Sequence, residues 1–168
     1  MKTLHLNRHA KSSWKSNSNN DHDRPLNGRG KLNAKFMAKL FAKGNKPDHV
    51  ISSTAKRALK TALSFTKELV IAKEDFVLSK EVYASSVQDL MNVINNIDNK
   101  YDEVMIFAHN PGLENLSNYL DQSFNGALVT CARVKIVFEV ESWKAIGSDS
   151  GQVVEHDYPR KYPEMENL

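Results

Sequence analysis

The sequence contains a single cysteine, Cys131, which excludes a disulfide bond within the chain and is compatible with a reducing compartment. This cysteine lies in an apolar run, residues 127–140, which favours a buried structural thiol over a nucleophile. No apolar run approaches the roughly 18 residues that a membrane-spanning helix requires. Residues 1–8 lack the apolar core of a signal peptide. We therefore expect a cytoplasmic protein that does not interact with a membrane.

Blocks of lysine and arginine and series of aromatic residues are also lacking. The charges nearly balance, with 23 basic and 20 acidic residues and a formal net charge of +3. This excess is too small to indicate nucleic-acid binding, although it suits anionic substrates. With 168 residues, of which 40% are hydrophobic, we expect one globular domain over residues 1–168. Its polar C-terminal tail, residues 155–168, is predicted to be either a packed extended arm or disordered.

Short strand-like segments alternate with segments of helical periodicity. Strands are predicted at residues 3–7, 49–53, 76–78, 103–108 and 132–140, with 152–155 as a hairpin partner of the last. Helices are predicted from an N-cap at Asn27 to Gly44, along residues 58–69, and at 87–97 and 113–120. This alternation predicts an α/β fold with a largely parallel sheet and helices on both faces.

An apolar stripe is predicted along the first helix, because hydrophobic residues recur there at helical spacing. Its members are Leu32, Phe36, Met37, Leu40 and Phe41. We expect this stripe to face the sheet.

Residues that can bind phosphate follow three of the predicted strands. Arg8 and His9 follow the first, Arg57 follows the second, and His109 follows the strand 103–108. Ligands of such sheets bind at the carboxyl ends of the strands, so we expect these residues to form one site. Guanidinium groups bind phosphate oxygens in bidentate fashion, and histidine can carry a phosphoryl group near neutral pH. The pattern predicts a centre in which a neutral imidazole attacks phosphorus.

Three positions leave two interpretations open. Arg57 in the first turn of a helix opposes the helix dipole, which a bound anion would offset, but it can equally be a surface arginine paired with a carboxylate. Glu81 is either the proton donor to a leaving group or an ordinary loop glutamate. The segment 23–26 is interpreted as a turn whose charges pair locally, with Arg24 or Asp23 at the rim of the pocket as the alternative.

These segments resemble the motifs of the histidine phosphatase superfamily, and within it those of the short SixA-type phosphohistidine phosphatases. Arg8-His9-Ala10 corresponds to the signature Arg-His-Gly triplet, and Arg24-Pro25-Leu26 to the Arg-Pro-Leu element of the SixA branch. Residues 53–61 resemble the segment Ser-Pro-x-x-Arg-Ala-x-x-Thr. His109-Asn110-Pro111 is similar to the second histidine motif. The four motifs stand in the order of the family, and the resemblance covers about residues 2–140.

The resemblance implies a phosphoglycerate-mutase-like, three-layer α/β/α sandwich with a mostly parallel central sheet. It implies that His9 is the phosphorylated nucleophile, that Arg8, Arg57 and His109 form the phosphate pocket, with Asn110 as a further phosphate ligand, and that neither a cofactor nor a metal is needed. Two residues depart from the motifs: Ala10 replaces a glycine and Thr54 a proline. Neither replacement removes a reacting group.

The activity implied is that of a phosphatase acting on protein phosphohistidine, for example in a phosphotransfer domain. Imidazolium has a pKa of about 6.5, so a phosphorylated imidazole departs without an acid. An alkoxide requires one, which is the role considered for Glu81. The alternatives are a phosphatase of small phosphate esters, a non-catalytic phosphate-binding module, and a metal site built from the six histidines of the chain.

Overall fold

A six-stranded sheet forms the centre of the fold in the computed structural model, which describes residues 1–15 and 20–165. Its strands are β1 (Lys2–Arg8), β2 (His49–Ser53), β3 (Phe76–Ser79), β4 (Glu103–Ala108), β5 (Arg133–Phe138) and β6 (Gln152–Asp157). The spatial order is β3-β2-β4-β1-β5-β6. The first four strands are parallel, whereas β5 is antiparallel to β1 and β6 to β5. The predicted mostly parallel sheet and the hairpin partner of β5 are confirmed.

Four α-helices occur in the described residues, at the positions that the periodicity predicts. They are α1 (Gly28–Ala42), α2 (Lys56–Leu69), α3 (Val87–Asn95) and α4 (Gly112–Leu120). The side chain of Asn27 accepts a hydrogen bond of 2.8 Å from the backbone N–H of Gly30, so the predicted N-cap is confirmed. A helix predicted to reach residue 97 ends at Asn95. None of the helices in the described part of the chain has the length and apolar character needed to cross a bilayer.

The two faces of the sheet are covered by different helix pairs. Successive side chains of a strand point to opposite faces, and β4 illustrates the result. Val104 and Ile106 lie in the core cluster that contains residues of α3 and α4, whereas Met105 and Phe107 lie in the cluster that contains residues of α1 and α2. The sheet therefore lies between two helical layers, as the three-layer prediction requires.

The buried face of α1 differs from the predicted stripe. Met37 and Phe41 are buried, but Leu32 is 49% exposed. Leu32 lies five residues before Met37, which places it about 140° around the helix axis from that side chain. The small or polar residues Asn33, Ala34 and Ala38 take the buried positions instead.

The chain beyond β5 is packed as far as it is described. Residues 155–157, predicted as the start of a polar tail, belong to β6. Two short 3-10 helices follow at residues 159–161 and 163–165, and Pro159 and Met165 are buried. The packed-arm interpretation therefore holds up to residue 165. Residues 166–168 of the predicted tail, and residues 16–19, lie outside the described residues.

Candidate active site

The carboxyl ends of β1, β2 and β4 lead into one pocket of about 400 Å³. Five of the predicted site residues line it, namely Arg8, His9, Arg57, His109 and Asn110. They come from positions up to a hundred residues apart, and the parallel sheet brings them together. In the structure these five residues lie together at the carboxyl edge of the sheet, as predicted.

His9 presents one ring nitrogen with a lone pair. Nδ1 lies 2.7 Å from the carbonyl oxygen of Ala10, which can only accept, so Nδ1 carries the proton. Nε2 accepts a hydrogen bond of 3.3 Å from Nε of Arg57. Burial of the ring, which is 7% exposed, and the nearby cations of Arg57 and Arg8 lower the pKa of His9 to about 4. At neutral pH the imidazole is uncharged, and Nε2 is available as a nucleophile.

His109 lies beside it, with the two ring centroids 5.2 Å apart. Its Nε2 is 2.8 Å from Oγ of Ser53, and that oxygen already accepts a hydrogen bond from the N–H of Ala55. The Ser53 hydroxyl can donate its proton to Nε2, which places the ring proton of His109 on Nδ1. Nδ1 is buried and has no partner among the described residues. Burial, followed by the charges of His9 and Arg57, lowers the pKa of His109 to about 3, so this ring is a neutral donor.

Arg57 lies in the first turn of α2, as predicted, and is buried. Its Nη1 donates to the backbone carbonyl of Asp21 at 2.7 Å, and its Nη2 donates to the Asp21 carboxylate at 2.9 Å. The same carboxylate accepts hydrogen bonds from Tyr83 and from Nε of Arg24. Although partial burial opposes it, the hydrogen bonds from Tyr83 and Arg57 lower the pKa of Asp21 to about 2. Arg57 thus faces both Nε2 of His9 and a permanent anion.

Arg24 lines the pocket as well, although the sequence favours a purely architectural turn there. Its guanidinium stacks 3.5 Å above the ring of Trp14, and its Nη1 is buried without a partner among the described residues. Arg24 therefore lies at the rim of the pocket, as the alternative interpretation predicts. It also pairs locally with Asp21, as the interpretation of a turn with locally paired charges predicts. Asp23 is exposed, bonds to Asn20 and His22, and does not line the pocket.

The described part of the loop before Pro25 is attached to the start of α2 through His22. The carbonyl oxygen of His22 accepts a bond of 2.9 Å from the N–H of Lys56, and its Nε2 lies 2.9 Å from Oγ1 of Thr54. Thr54 is one of the two departures from the family motif. Its hydroxyl supplies a contact that a proline could not make, and this contact holds Asp21 and Arg24 against the pocket.

Arg8 and Asn110 are positioned by one backbone carbonyl. Nη1 of Arg8 and Nδ2 of Asn110 each donate to the oxygen of Leu128 at 2.9 Å, and Nδ2 also donates to the Glu114 carboxylate. The Asn110–Pro111 peptide bond is cis. Both protons of the Asn110 side-chain amide are used in these bonds, so only the backbone N–H of Asn110 is left for the predicted role as a phosphate ligand. Its side chain instead fixes the segment that holds Arg8.

Glu81 lies apart from this pocket. It is in the 3-10 helix Lys80–Val82, lines a different cavity with Ile51 and Val77, and accepts a hydrogen bond of 2.6 Å from Ser79. That bond lowers the pKa of Glu81, whereas a proton donor needs a raised pKa. Tyr83, two residues further on, enters the pocket and packs edge-on against His109. The structure therefore does not bring Glu81 together with the other predicted residues.

The other departure from the motif, Ala10, is accommodated without strain. Its backbone is not among the positive-φ residues of the described chain, and its side chain is fully buried between β1 and the α1/α2 layer. The N–H of Ala10 donates to Oγ1 of Thr61, which in turn donates to the carbonyl of Arg57. Thr61 therefore links the loop that carries His9 to the helix turn that carries Arg57.

No three His, Cys, Asp or Glu side chains within residues 1–15 and 20–165 are grouped closely enough to hold a metal ion. His5, four residues before His9, bonds instead to Glu103 at 2.8 Å and packs against Phe41. Cys131 is buried, and burial raises the pKa of its thiol to about 12. This agrees with the structural thiol predicted from its apolar surroundings.

Sequence comparison places this arrangement among known proteins. The model of the histidine phosphatase superfamily (branch 1) matches residues 4–77, a segment that includes His9 and Arg57. An uncharacterised chloroplastic protein of Arabidopsis thaliana is 30% identical over 157 residues, which cover 88% of this chain and 72% of that protein.

Solved structures share the fold. A protein named SixA from Agrobacterium tumefaciens superposes with a TM-score of 0.78 at 24% identity, covering 94% of this chain and 98% of that one. A protein histidine phosphatase SixA complexed with tungstate superposes with a TM-score of 0.80 at 17% identity, covering 95% of this chain and 98% of that one. A mycobacterial glucosyl-3-phosphoglycerate phosphatase superposes with a TM-score of 0.67 at 13% identity, covering 91% of this chain and 97% of that one. The expected phosphoglycerate-mutase-like fold is confirmed.

Proposed function

This chain belongs to the histidine phosphatase superfamily, and we propose that it removes phosphoryl groups from phosphohistidine on proteins through a covalent intermediate on His9. The observation that carries the proposal is the state of the His9 ring. Its proton is held on Nδ1 by the Ala10 carbonyl, while Nε2 stays unprotonated and faces the guanidinium of Arg57. A neutral imidazole with an oriented lone pair, next to cations that bind phosphate, is suited to attack on phosphorus.

In the first step, Nε2 of His9 attacks the phosphorus in line, and the bond from phosphorus to the leaving nitrogen breaks as the new bond forms. The electron pair of that bond goes to the leaving nitrogen, and the substrate ring departs as neutral imidazole because its other nitrogen carries a proton. Arg8, Arg57 and Nδ1–H of His109 stabilise the negative charge on the phosphoryl oxygens. In the second step, water attacks phosphorus, the bond to Nε2 breaks, and its electron pair returns to the His9 ring. The proton of the water leaves with inorganic phosphate or passes to the solvent.

The phosphoryl group replaces an anion that the pocket already contains. In the structure Arg57 and Arg24 both bind the Asp21 carboxylate, which is half exposed. A dianionic phosphoryl group competes for the same guanidinium donors and brings more charge. We infer that substrate binding moves Asp21 away from Arg57.

The lowered pKa values of Asp21 and Glu81 favour a phosphohistidine substrate over a phosphate ester. Asp21 has a pKa of about 2, and Glu81 lies outside the pocket with a lowered pKa. Neither holds a proton for an alkoxide at neutral pH, whereas phosphorylated imidazole leaves without one. The second candidate, a phosphatase of small phosphate esters, would need a donor that these carboxylates do not supply.

A comparison of substrates tests this proposal. General acid catalysis contributes about 100-fold or more, so we expect kcat/KM for a phosphohistidine protein to exceed that for a phosphoserine peptide or a sugar phosphate by at least about 100-fold. The His9→Asn variant should lose all of these activities, which would assign them to one site. A preference for the esters would support the small-molecule alternative. Phosphate binding without turnover of any substrate would support the alternative of a non-catalytic phosphate-binding module.

We also propose that turnover needs neither a metal nor a cofactor, because the steps above use only side chains of the chain itself. Activity should be unchanged after dialysis against a strong chelator. Loss of activity that is restored by one divalent cation would contradict this. A cytoplasmic location stays a proposal that rests on the single, buried Cys131, and fractionation of cells with an antibody against the chain would test it.

A further inference from the structure

A second cavity, of about 280 Å³, lies directly beside the catalytic pocket. Arg8, Lys11 and Thr130 line both cavities, so the two are adjacent. The second cavity is completed by Arg29, Asn33, Val129, Pro159 and Arg160. These eight residues are called the basic groove below.

The charge of the basic groove is of one sign. Four of its lining residues are cationic and none is acidic. Lys11, Arg29 and Arg160 form no ion pair with any residue in the described part of the chain. The catalytic pocket differs, because its Arg57 is neutralised by Asp21. A cluster of like charges without a counter-charge attracts anions and is unfavourable without one.

Two features of α1 shape this groove. Asn33 is only 5% exposed, and its Oδ1 has no hydrogen-bond partner among the described residues, an arrangement that is costly for a buried amide. Oδ1 is an acceptor, so it would bind a donor group of a ligand and not an oxyanion. Arg29 stands in the first turn of the helix, where no acidic residue is present and the dipole opposes a cation.

The position of α1 against Lys11 is fixed by a glycine. A Cβ at Gly30 would lie 2.0 Å from the carbonyl oxygen of Lys11, so any side chain there would force the helix away. The N–H of Asn27 donates to the same carbonyl at 3.0 Å. The groove is therefore a built part of the fold, held by backbone contacts next to the nucleophile loop.

We propose that the basic groove is a second anion subsite, which binds a carboxylate or phosphate group of the same substrate whose phosphoryl group His9 attacks. The inference rests on the proposed function and extends it to the substrate class. A phosphohistidine with an acidic residue nearby on the protein surface would supply the second anion, and so would a small molecule with two phosphate groups. Arg8, which lines both cavities, lies between the two anions.

The experiment compares two phosphohistidine peptides that differ only in the flanking residues, which are aspartates in one and asparagines in the other. For the unaltered protein we expect kcat/KM to be about tenfold higher for the aspartate peptide, through a lower KM at similar kcat. In the double variant Arg29→Gln/Arg160→Gln this preference should fall to within about twofold, while kcat/KM for the asparagine peptide stays unchanged. A third arm with a small bisphosphate distinguishes the two sources of the second anion.

Lys67→Gln provides the matched control, since it removes an exposed positive charge at the far end of α2 and should keep the full preference. Equal rates on both peptides in the unaltered protein, or equal losses on both in the double variant, would overturn the subsite. Absence of any peptide hydrolysis would instead refute the proposed function. In that case calorimetric titration with pyrophosphate still decides on the subsite: binding that is not weakened in the double variant would overturn it.

Discussion

The Asp21 carboxylate accepts a 2.9 Å hydrogen bond from Nη2 of Arg57, the same guanidinium whose Nε faces Nε2 of His9. In the proposed mechanism, substrate phosphate and Asp21 therefore use the same donor. The contact neutralises a buried arginine in the absence of substrate, which limits the cost of its burial. It also means that the strength of phosphate binding depends on how firmly Asp21 is held.

We predict that Asp21→Asn binds inorganic phosphate more tightly. The amide keeps the shape of the side chain but no longer competes as an anion for Arg57. Arg57 is buried but the Asp21 carboxylate is half exposed, which limits the strength of their ion pair to about 1 kcal/mol, so the inhibition constant of phosphate should fall by up to about fivefold. Asp23→Asn is the control, because Asp23 is exposed and contacts no arginine in the described structure. Weaker phosphate binding in Asp21→Asn would mean that Asp21 positions Arg57 rather than competes with phosphate.

We predict that Glu81→Gln leaves hydrolysis of both phosphohistidine and phosphoserine substrates within about twofold of the unaltered rates. Glu81 lies outside the catalytic pocket and has a lowered pKa. Steady-state kinetics on the two substrate classes provides the measurement. A selective loss of ester hydrolysis would restore Glu81 as the leaving-group acid.

Thr61→Val should destabilise the fold and lower activity together. The valine cannot accept the hydrogen bond from the N–H of Ala10, and an unsatisfied buried N–H costs about 1–3 kcal/mol. The loss should appear as a lower midpoint of urea unfolding, with reduced kcat because Ala10 follows the nucleophile. Thr66→Val is matched to it, since Thr66 lies on the same helix, is partly exposed and bonds only to the carbonyl of Leu63. Equal stability of the two variants would refute the role given to Thr61.

The stability of the fold should decrease as the pH falls from 6.5 towards 4. The folded chain holds His9 and His109 with pKa values of about 4 and about 3, whereas an unfolded histidine titrates near 6.5. In this window the unfolded chain binds protons that the folded chain does not, so acid favours unfolding. Between pH 7 and 4.5, the unfolding free energy of His109→Gln should fall by about 2–3 kcal/mol less than that of the unaltered protein. A loss of the same size in both would show that His109 titrates normally.

The sequence predicts most of the fold because its elements are marked by local signals. The continuous apolar run of β4, the Asn27 cap of α1 and the turn residues after each element are visible in a few consecutive residues. The motif residues at strand ends are also local, and the parallel sheet alone is sufficient to bring Arg8, His9, Arg57 and His109 together.

Other parts of the site depend on contacts between distant segments. Asp21 and Arg24 reach the pocket because His22 is bonded to Thr54 and Lys56, a relationship over more than thirty residues that no local pattern indicates. After β3, the sequence predicts Glu81 as a site residue because its carboxyl group is suited to proton transfer. The 3-10 helix at this position places Tyr83 in the pocket instead. Residue type alone does not determine which side chain of a short turn faces inward.

The central claim, that His9 carries the phosphoryl group, is tested most directly by trapping the intermediate. The protein would be mixed with a phosphohistidine peptide carrying radioactive phosphate, denatured in alkali within milliseconds to seconds, and digested for mass spectrometry. The account predicts an alkali-stable, acid-labile phosphoryl group on His9, present in Glu81→Gln and absent from His9→Asn. A label on another residue, or turnover by His9→Asn at the rate of the unaltered protein, would contradict it.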